Sequence, residues 1–503
     1  MADAALARLA GWSWPGRMVL FWASGAVAAL GQAPWGLWPL TVLGLAVTYG
    51  FFRRVRGWRA AAFLGWMVGT GHFLVALHWI TEPFMVDAAR HGWMAPFALL
   101  GLAMGAGLYW GAGLALARVM GGGWAAFVAG LGLAEIARGW IFTGFPWAQA
   151  GHALIDTPLL HWASHAGAPG LLALVLAAGV AIWHVVAGPR GRGALALAAL
   201  AALWPLGAVL APEAGAGAGA PVVRLVQPNA PQHEKWDPDR AQAFFDRQRA
   251  YTAAGAVPDL VVWPETAVPV WLNHAGETLE AVAASARGAP VVLGIQRFEG
   301  RRLFNSLAVI EPGGVVREVY DKHHLVPFGE FMPFGNFLAS IGIYGLASNE
   351  GQGYSAGPGA GLIDLGPLGR ALPLICYESV FARDLRAAPG RADVILLITN
   401  DAWFGRISGP YQHLAQARLR SAEMGLPMIR VANTGVSAMI DATGRITEAI
   451  ALGEAGWRDA ALPPPLPETL YARLGDGPML LFYGVLLALS LWRNRRRAEA
   501  VSD

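Results

Sequence analysis

Leu372-Pro373-Leu374-Ile375-Cys376-Tyr377-Glu378-Ser379 joins a short apolar run to the only cysteine among 503 residues. The run Ala371 to Ile375 reads as a buried strand entering a turn. A strand end holds a side chain rigidly while leaving one side open, and a thiolate is the strongest nucleophile of the ordinary side chains. Free cysteine also packs as a small buried hydrophobe, so this stretch alone leaves catalysis and packing both open.

Around it the texture is that of an α/β domain. After an Ala/Gly linker, Glu213 to Ala220, the runs Val222 to Val226, Leu260 to Trp263, Pro290 to Ile295, Ser306 to Ile310, Ala371 to Ile375, Val394 to Ile398 and Val436 to Ile440 predict strands. Arg240 to Ala253, Glu277 to Ala286 and Tyr411 to Met424 predict helices between them, an alternation that implies covered sheets. Two strand ends carry charge. Glu265 follows Leu260-Val261-Val262-Trp263-Pro264, and Lys322 sits in Tyr320-Asp321-Lys322-His323-His324. Each alone reads as a solvated loop charge, but with a lone cysteine they form a set that chemistry uses. A carboxylate takes a thiol proton and returns it to a leaving group, and an ammonium stabilises thiolate and oxyanion. His323 and His324 leave a cysteine–histidine pairing as an alternative.

Outward from this domain, composition changes the solvent. The hydrophobic fraction is 55%, the charged fraction 14%, and there are 22 tryptophans, values that place part of the chain in lipid. A net charge of +3 with arginines clustered between apolar runs reads as topology signal, not as a nucleic-acid surface. Runs near 18–34, 36–52, 60–80, 93–117, 124–140, 169–187 and 194–211 are each about long enough to cross a ~30 Å core. Pro478 to Trp492, closed by Arg493, Arg495, Arg496 and Arg497, predicts an eighth crossing. Arginines after the second, fourth and sixth runs place those exits, and both termini, in the cytoplasm and the α/β domain outside it. The organisation expected is therefore a membrane domain over 1–212, a linker over 213–220, the α/β domain over 221–474, and a last helix with a basic tail over 475–503. Glu135 and Arg138, one turn apart in the fifth run, read as a structural pair. His152, His161 and His165 make at most a weak metal idea, since the glutamate of helical zinc motifs is missing.

Trp263-Pro264-Glu265-Thr266, then Asp321 to Glu330, then Leu374-Ile375-Cys376-Tyr377-Glu378-Ser379, in that order, resemble the motifs of the carbon–nitrogen hydrolase (nitrilase) superfamily. With apolar runs on both sides, the whole chain resembles the membrane-bound acyltransferases of that superfamily that act on bacterial lipoproteins. The resemblance implies an αββα sandwich, with Glu265 as general base, Lys322 as oxyanion-stabilising cation and Cys376 as nucleophile. It implies supporting roles for Glu330, Tyr377 and Glu378, substrate contacts at Trp236 and Trp403, and no cofactor or metal. It implies a phospholipid acyl donor and a diacylated apolipoprotein acceptor, with the active domain on the periplasmic face of the bacterial inner membrane. A membrane-tethered amidase would use the same three residues with water as acceptor. A transporter would use the spans themselves, which carry few polar residues for a pathway.

Leu325 to Tyr344 places Phe328, Phe331, Phe334 and Phe337 in a loop interrupted by Pro327, Gly329, Pro333 and Gly335. Such side chains need a core, a partner or lipid. The expectation is a mobile lid at the membrane surface, with packing under the sheet edge as the other reading.

Overall fold

A computed structural model describes residues 14–333 and 353–502. The chain forms two compact units. One gathers the residues up to Thr81, Trp93–Ala211 and those from Thr469 onward; the other gathers Glu82–Gly92 and Pro212–Glu468.

In the second unit the strands are β1 Val222–Gln227, β2 Leu260–Val262, β3 Val291–Glu299, β4 Arg302–Ile310, β5 Val316–Asp321 and β6 Ile363–Asp364. They continue with β7 Arg370–Ile375, β8 Val394–Thr399, β9 Met428–Ala432, β10 Ser437–Ile440, β11 Ile446–Ile450 and β12 Gly456–Ala461. Among the described residues they build two six-stranded sheets, ordered β12-β1-β2-β3-β4-β5 and β11-β10-β9-β8-β7-β6. The centre of each is parallel: β1, β2 and β3 in one, β7, β8 and β9 in the other. Parallel strands are covered on both faces and so need unbroken apolar runs. Val394-Ile395-Leu396-Leu397-Ile398 meets that demand, every residue being buried.

The sheets pack against each other, β1 over β9 and β4 over β7. Helices Pro238–Ala253 and Gly276–Ala286 cover the first sheet, and Gly409–Met424 covers the second. This is the αββα sandwich that the motifs imply. Trp263, Val282, Val291, Leu293 and Ile310 pack in one fully enclosed cluster under the first sheet. Burying each of the aliphatic ones is worth about 1.5–3 kcal/mol. Trp263 also donates to Thr252 Oγ1 at 2.8 Å, which fixes the chain two residues before Glu265.

In the first unit the helices of fifteen residues or more are Trp14–Ala29, Trp38–Phe52, Trp58–Ala76, Ala95–Val119, Trp124–Trp140, Ala163–Ala187, Arg190–Leu210 and Gly477–Ser502. Among the described residues, three stretches are long and apolar enough to cross a membrane by themselves: Ala88–Val119, Pro158–Ala187 and Arg190–Leu210. Trp58–Ala76 with His78–Met85 passes as a pair bent by 64°. Trp38–Phe52 has 15 residues, which give a helix of about 22 Å, shorter than the ~30 Å core. Close approach of helices rests on small residues. A Cβ added to Gly113 would fall 2.6 Å from the Gly130 carbonyl oxygen, and one on Gly130 would fall 2.3 Å from that of Gly113.

Glu135 and Arg138 are both buried and paired. Trp110 donates to Glu135, and Arg138 also donates to the Phe145 carbonyl. The pair ties two helices and the loop after Trp140 together, in keeping with a structural reading. His161 and His165 stack edge to face with ring centroids 5.3 Å apart. No group of three metal-capable side chains occurs among the described residues.

Candidate active site

Three strand ends converge. β7 terminates in Ile375, and Cys376 opens a short 3₁₀ turn, Cys376–Val380, with a left-handed φ of +53°. A residue with a Cβ adopts that conformation only when its surroundings hold it there. β2 gives way to Trp263-Pro264-Glu265, and β5 to Lys322. The Glu265 carboxylate accepts from Asn305 Nδ2 at 2.6 Å and lies 3.7 Å from Lys322 Nζ. Lys322, 1% exposed, donates to Glu330 at 2.8 Å, and its own backbone N–H bonds the Asn305 carbonyl on β4. Glu330 is held in turn by the backbone N–H of Val326 at 2.9 Å.

The electrostatics follow from enclosure. Burial by itself lowers the Lys322 pKa, but the Glu330 and Glu265 carboxylates outweigh it and raise that pKa above the ordinary lysine value. Burial pushes the Cys376 thiol up, Glu265 adds to the rise, and Lys322 opposes it. The thiol therefore rests protonated, and an attack through sulfur needs a neighbouring base. Lys235, also buried, donates to the Glu265 carbonyl at 3.0 Å and to Thr266 Oγ1 at 2.7 Å. Burial lowers its pKa to about 8, against the pull of Glu265.

Glu378 joins the turn that opens at Cys376 to the segment that leads from β5 into Lys322 and His323. Its carboxylate accepts from Ile375 N at 2.8 Å, His323 N at 2.8 Å, His324 N at 3.2 Å and Tyr320 OH at 3.0 Å. His323 Nδ1 lies 2.7 Å from it. Burial would lift the Glu378 pKa, but the His323 contact and the backbone donors hold it below the usual range. Burial opposes charge on His323 as well, and Glu378 and Asp384 raise its pKa nonetheless. The stability that His323 contributes is thus complete below its ordinary value of 6.5 and is lost as pH rises through the folded value. That of Glu378 is complete above 4.5 and is lost as pH falls. The melting-temperature advantage of the wild type over His323→Asn is expected to shrink as pH rises above about 6.5. An advantage that stays constant to pH 9 would contradict the pairing.

The remaining sequence candidates are more dispersed. Tyr377 is buried, its ring 4.9 Å from that of Phe381 and 5.6 Å from His324. Trp236 is 43% exposed beside Lys235, and Trp403 is half-buried in the turn Asp401–Phe404. Phe328, with φ +63°, is exposed and Phe331 half-buried, their backbones joined by a 2.8 Å bond from Phe328 N to the Phe331 carbonyl. Phe334 and the rest of the lid expectation, from residue 334 to Tyr344, lie outside the described residues. The two strand-end charges are not solvated: Glu265 and Lys322 are both enclosed.

Sequence reasoning missed a buried cluster behind Cys376. Asp401 accepts from Arg430 Nη2 at 2.6 Å and from Thr399 Oγ1 at 2.9 Å, and His413 Nδ1 lies 2.9 Å away. Asn305 was missed as well. Polar residues recurring every four positions in the helix Gly409–Met424, at 412, 416 and 420, were the available signal that its polar face is turned inward.

The class of the sandwich comes first: residues 222–466 match the family described as Carbon-nitrogen hydrolase. Residues 24–181 match a second, described as Apolipoprotein N-acyltransferase N-terminal domain. The chain is 34% identical to the Apolipoprotein N-acyltransferase of Rhodopseudomonas palustris, over 96% of each chain. It is 35% identical to that of Rhizobium rhizogenes, over 89% of this chain and 92% of the relative. The chain belongs to the apolipoprotein N-acyltransferase family.

Proposed function

We propose that this enzyme transfers a fatty-acyl chain from a membrane phospholipid to the N-terminal α-amine of a diacylated apolipoprotein, in two half-reactions through a thioester on Cys376. The observation that carries the reading is the enclosure of the Cys376 thiol, the Glu265 carboxylate and the Lys322 ammonium at the ends of three strands. In the first half, Glu265 takes the Cys376 proton, sulfur attacks the ester carbonyl, and the tetrahedral oxyanion is held by Lys322 and backbone N–H groups after Cys376. Collapse breaks the ester C–O bond, and Glu265 returns the proton to the departing lysophospholipid oxygen. In the second half, the acceptor amine attacks the thioester, Glu265 removes its proton, and the thiol leaves with that proton restored. Glu330 keeps Lys322 in place, and Glu378 fixes the two backbones.

Enzyme in vesicles with a labelled acyl phospholipid and a diacylated lipopeptide is expected to yield an amide at the lipopeptide N-terminus and one equivalent of lysophospholipid. Free fatty acid as the main labelled product, with the lipopeptide unmodified, would instead identify a hydrolase.

The chain crosses the membrane eight times, with the sandwich in the periplasm and both termini in the cytoplasm. Support comes from eight helices that coincide with the apolar runs, and from the arginines at alternate exits. A reporter active only in the cytoplasm should be silent when fused after Ala220 and active when fused after Trp492. The opposite pattern refutes the orientation.

A further inference from the structure

The helix Gly409–Met424 lies on the second sheet and brings His413, 0% exposed, to the turn Cys376–Val380. Its Nε2 is 2.9 Å from Ser379 Oγ and 3.2 Å from the Cys376 carbonyl oxygen. Ser379 Oγ is itself 2.9 Å from that carbonyl. On the other side of the ring, Nδ1 meets Asp401 Oδ1 at 2.9 Å and Arg430 Nη2 at 3.1 Å, and the Phe404 ring stands edge-on at 5.4 Å.

The proton count selects an arrangement. The Ser379 hydroxyl has one hydrogen and two neighbours within reach, the carbonyl and the imidazole. Given to the imidazole, it would leave the Cys376 carbonyl facing lone pairs on both Ser379 and Nε2 in an enclosed site, where such contacts are costly. Given to the carbonyl, it requires that Nε2 carry a hydrogen, which then bonds Ser379 Oγ. Only the second arrangement gives both the Cys376 carbonyl and Ser379 Oγ a side-chain donor.

The carbonyl held in this way belongs to the one residue whose backbone must stay left-handed for the chemistry. Cys376 has a Cβ and no intrinsic reason to sit at φ +53°. The peptide that follows it carries the N–H groups assigned above to the oxyanion. Rotation of the Cys376 carbonyl would move the thiol and those donors together.

We propose that His413 is a positioning residue for the nucleophile, its Nε2–H acting directly and through Ser379 to hold the Cys376 carbonyl and keep the turn in the left-handed conformation. The inference rests on the reading of Cys376 as nucleophile. Asp401 and Arg430 orient the imidazole from behind, and the helix supplies the rigid mount.

Two substitutions separate the ring's two nitrogens. Glutamine at this site reproduces a donor near Nε2, and asparagine one near Nδ1. The full-length enzyme in phospholipid–detergent micelles is given a phospholipid with a fluorescent acyl chain, and the single-turnover rate of Cys376 acylation is read with the melting temperature. His413→Asn is expected to lower that rate about 100-fold with the apparent KM for phospholipid unchanged, the scale of loss when a reacting group shifts by about 1 Å. His413→Gln should lose no more than about tenfold, although it gives up the Asp401 contact. Equal losses, or a greater loss in the glutamine variant, would overturn the proposal, because a purely structural histidine depends most on its bond to Asp401. Should either variant fail to fold, Ser379→Ala decides: about tenfold slower acylation at an unchanged melting temperature upholds the relay, and an unchanged rate removes it. A wild-type enzyme that never labels at Cys376 would fail the reading of Cys376 as nucleophile instead, and the two failures are distinct.

Discussion

Replacing Cys376 with serine is expected to lower acyl transfer by at least about 10⁴-fold and to leave the fold intact. The site is built for a group whose proton is hard to remove but still removable. Burial and Glu265 already raise the thiol, with Lys322 and a hydrogen bond to Thr399 working the other way. A hydroxyl is far less acidic than a thiol, so its proton is much harder for a carboxylate to remove. Cys376→Ala should form no thioester, and Glu265→Gln should lose about 10³-fold or more by removing the proton acceptor while retaining the side-chain shape. Lys322→Ala has a second consequence: it leaves Glu265 and Glu330 facing each other without their shared cation. Its loss of activity should therefore come with a lowered melting temperature, whereas that of Cys376→Ser should not.

The largest expected effect on stability lies behind Cys376, at Asp401. Burial would lift its pKa, but Arg430 and His413 outweigh burial and hold the carboxyl far below the usual carboxylate range. Both Asp401 and Arg430 are 0% exposed. Asp401→Ala leaves a guanidinium enclosed without its counter-charge, a change that costs about 3–5 kcal/mol. For a unit of this size that corresponds to a fall in melting temperature of about 10 °C. Removing both charges, as Asp401→Leu with Arg430→Met, should recover much of the stability, since a buried pair gives little net gain over apolar groups of similar volume. Acylation should stay impaired in the double variant, because His413 loses the carboxylate that orients it. A single variant as stable as the wild type would contradict the burial of this pair.

The parts of the fold that were legible in the sequence are those whose physics is local. Val394 to Ile398 and Leu260 to Trp263 read as strands because parallel strands covered on both faces must be apolar throughout. The strands that were missed break that rule. β9 carries Arg430 in its centre, and nothing local announces that its charge is met by Asp401, 29 residues away. β5, Val316-Arg317-Glu318-Val319-Tyr320-Asp321, lies at a sheet edge and keeps only a half-buried pattern. β12 is paired antiparallel with β1, and its register, Val222 opposite Ala461, is set by contacts that no window of sequence contains.

The site divides along the same line. Glu265, Lys322 and Cys376 stand out as candidates in the sequence because each stands at a strand end within a recognisable motif. Their depth was not legible, because a charge after a strand reads as solvated until the carboxylates around Lys322 are known. His413 and Asn305 lie inside elements whose neighbours are fixed only by tertiary packing. Asn305, in the middle of β4, reads as an ordinary strand residue until its amide is seen to meet Glu265.

The Cys376 thioester is a single covalent bond that can be sought directly. Full-length enzyme is mixed with a phospholipid carrying an isotope-labelled acyl chain in the absence of acceptor, quenched in acid, digested, and mapped by mass. The expected result is the acyl mass on the peptide containing Cys376, sensitive to hydroxylamine, formed with one equivalent of lysophospholipid and discharged when a diacylated lipopeptide is added. Label on another residue, or transfer to the lipopeptide with Cys376 never acylated, would contradict it.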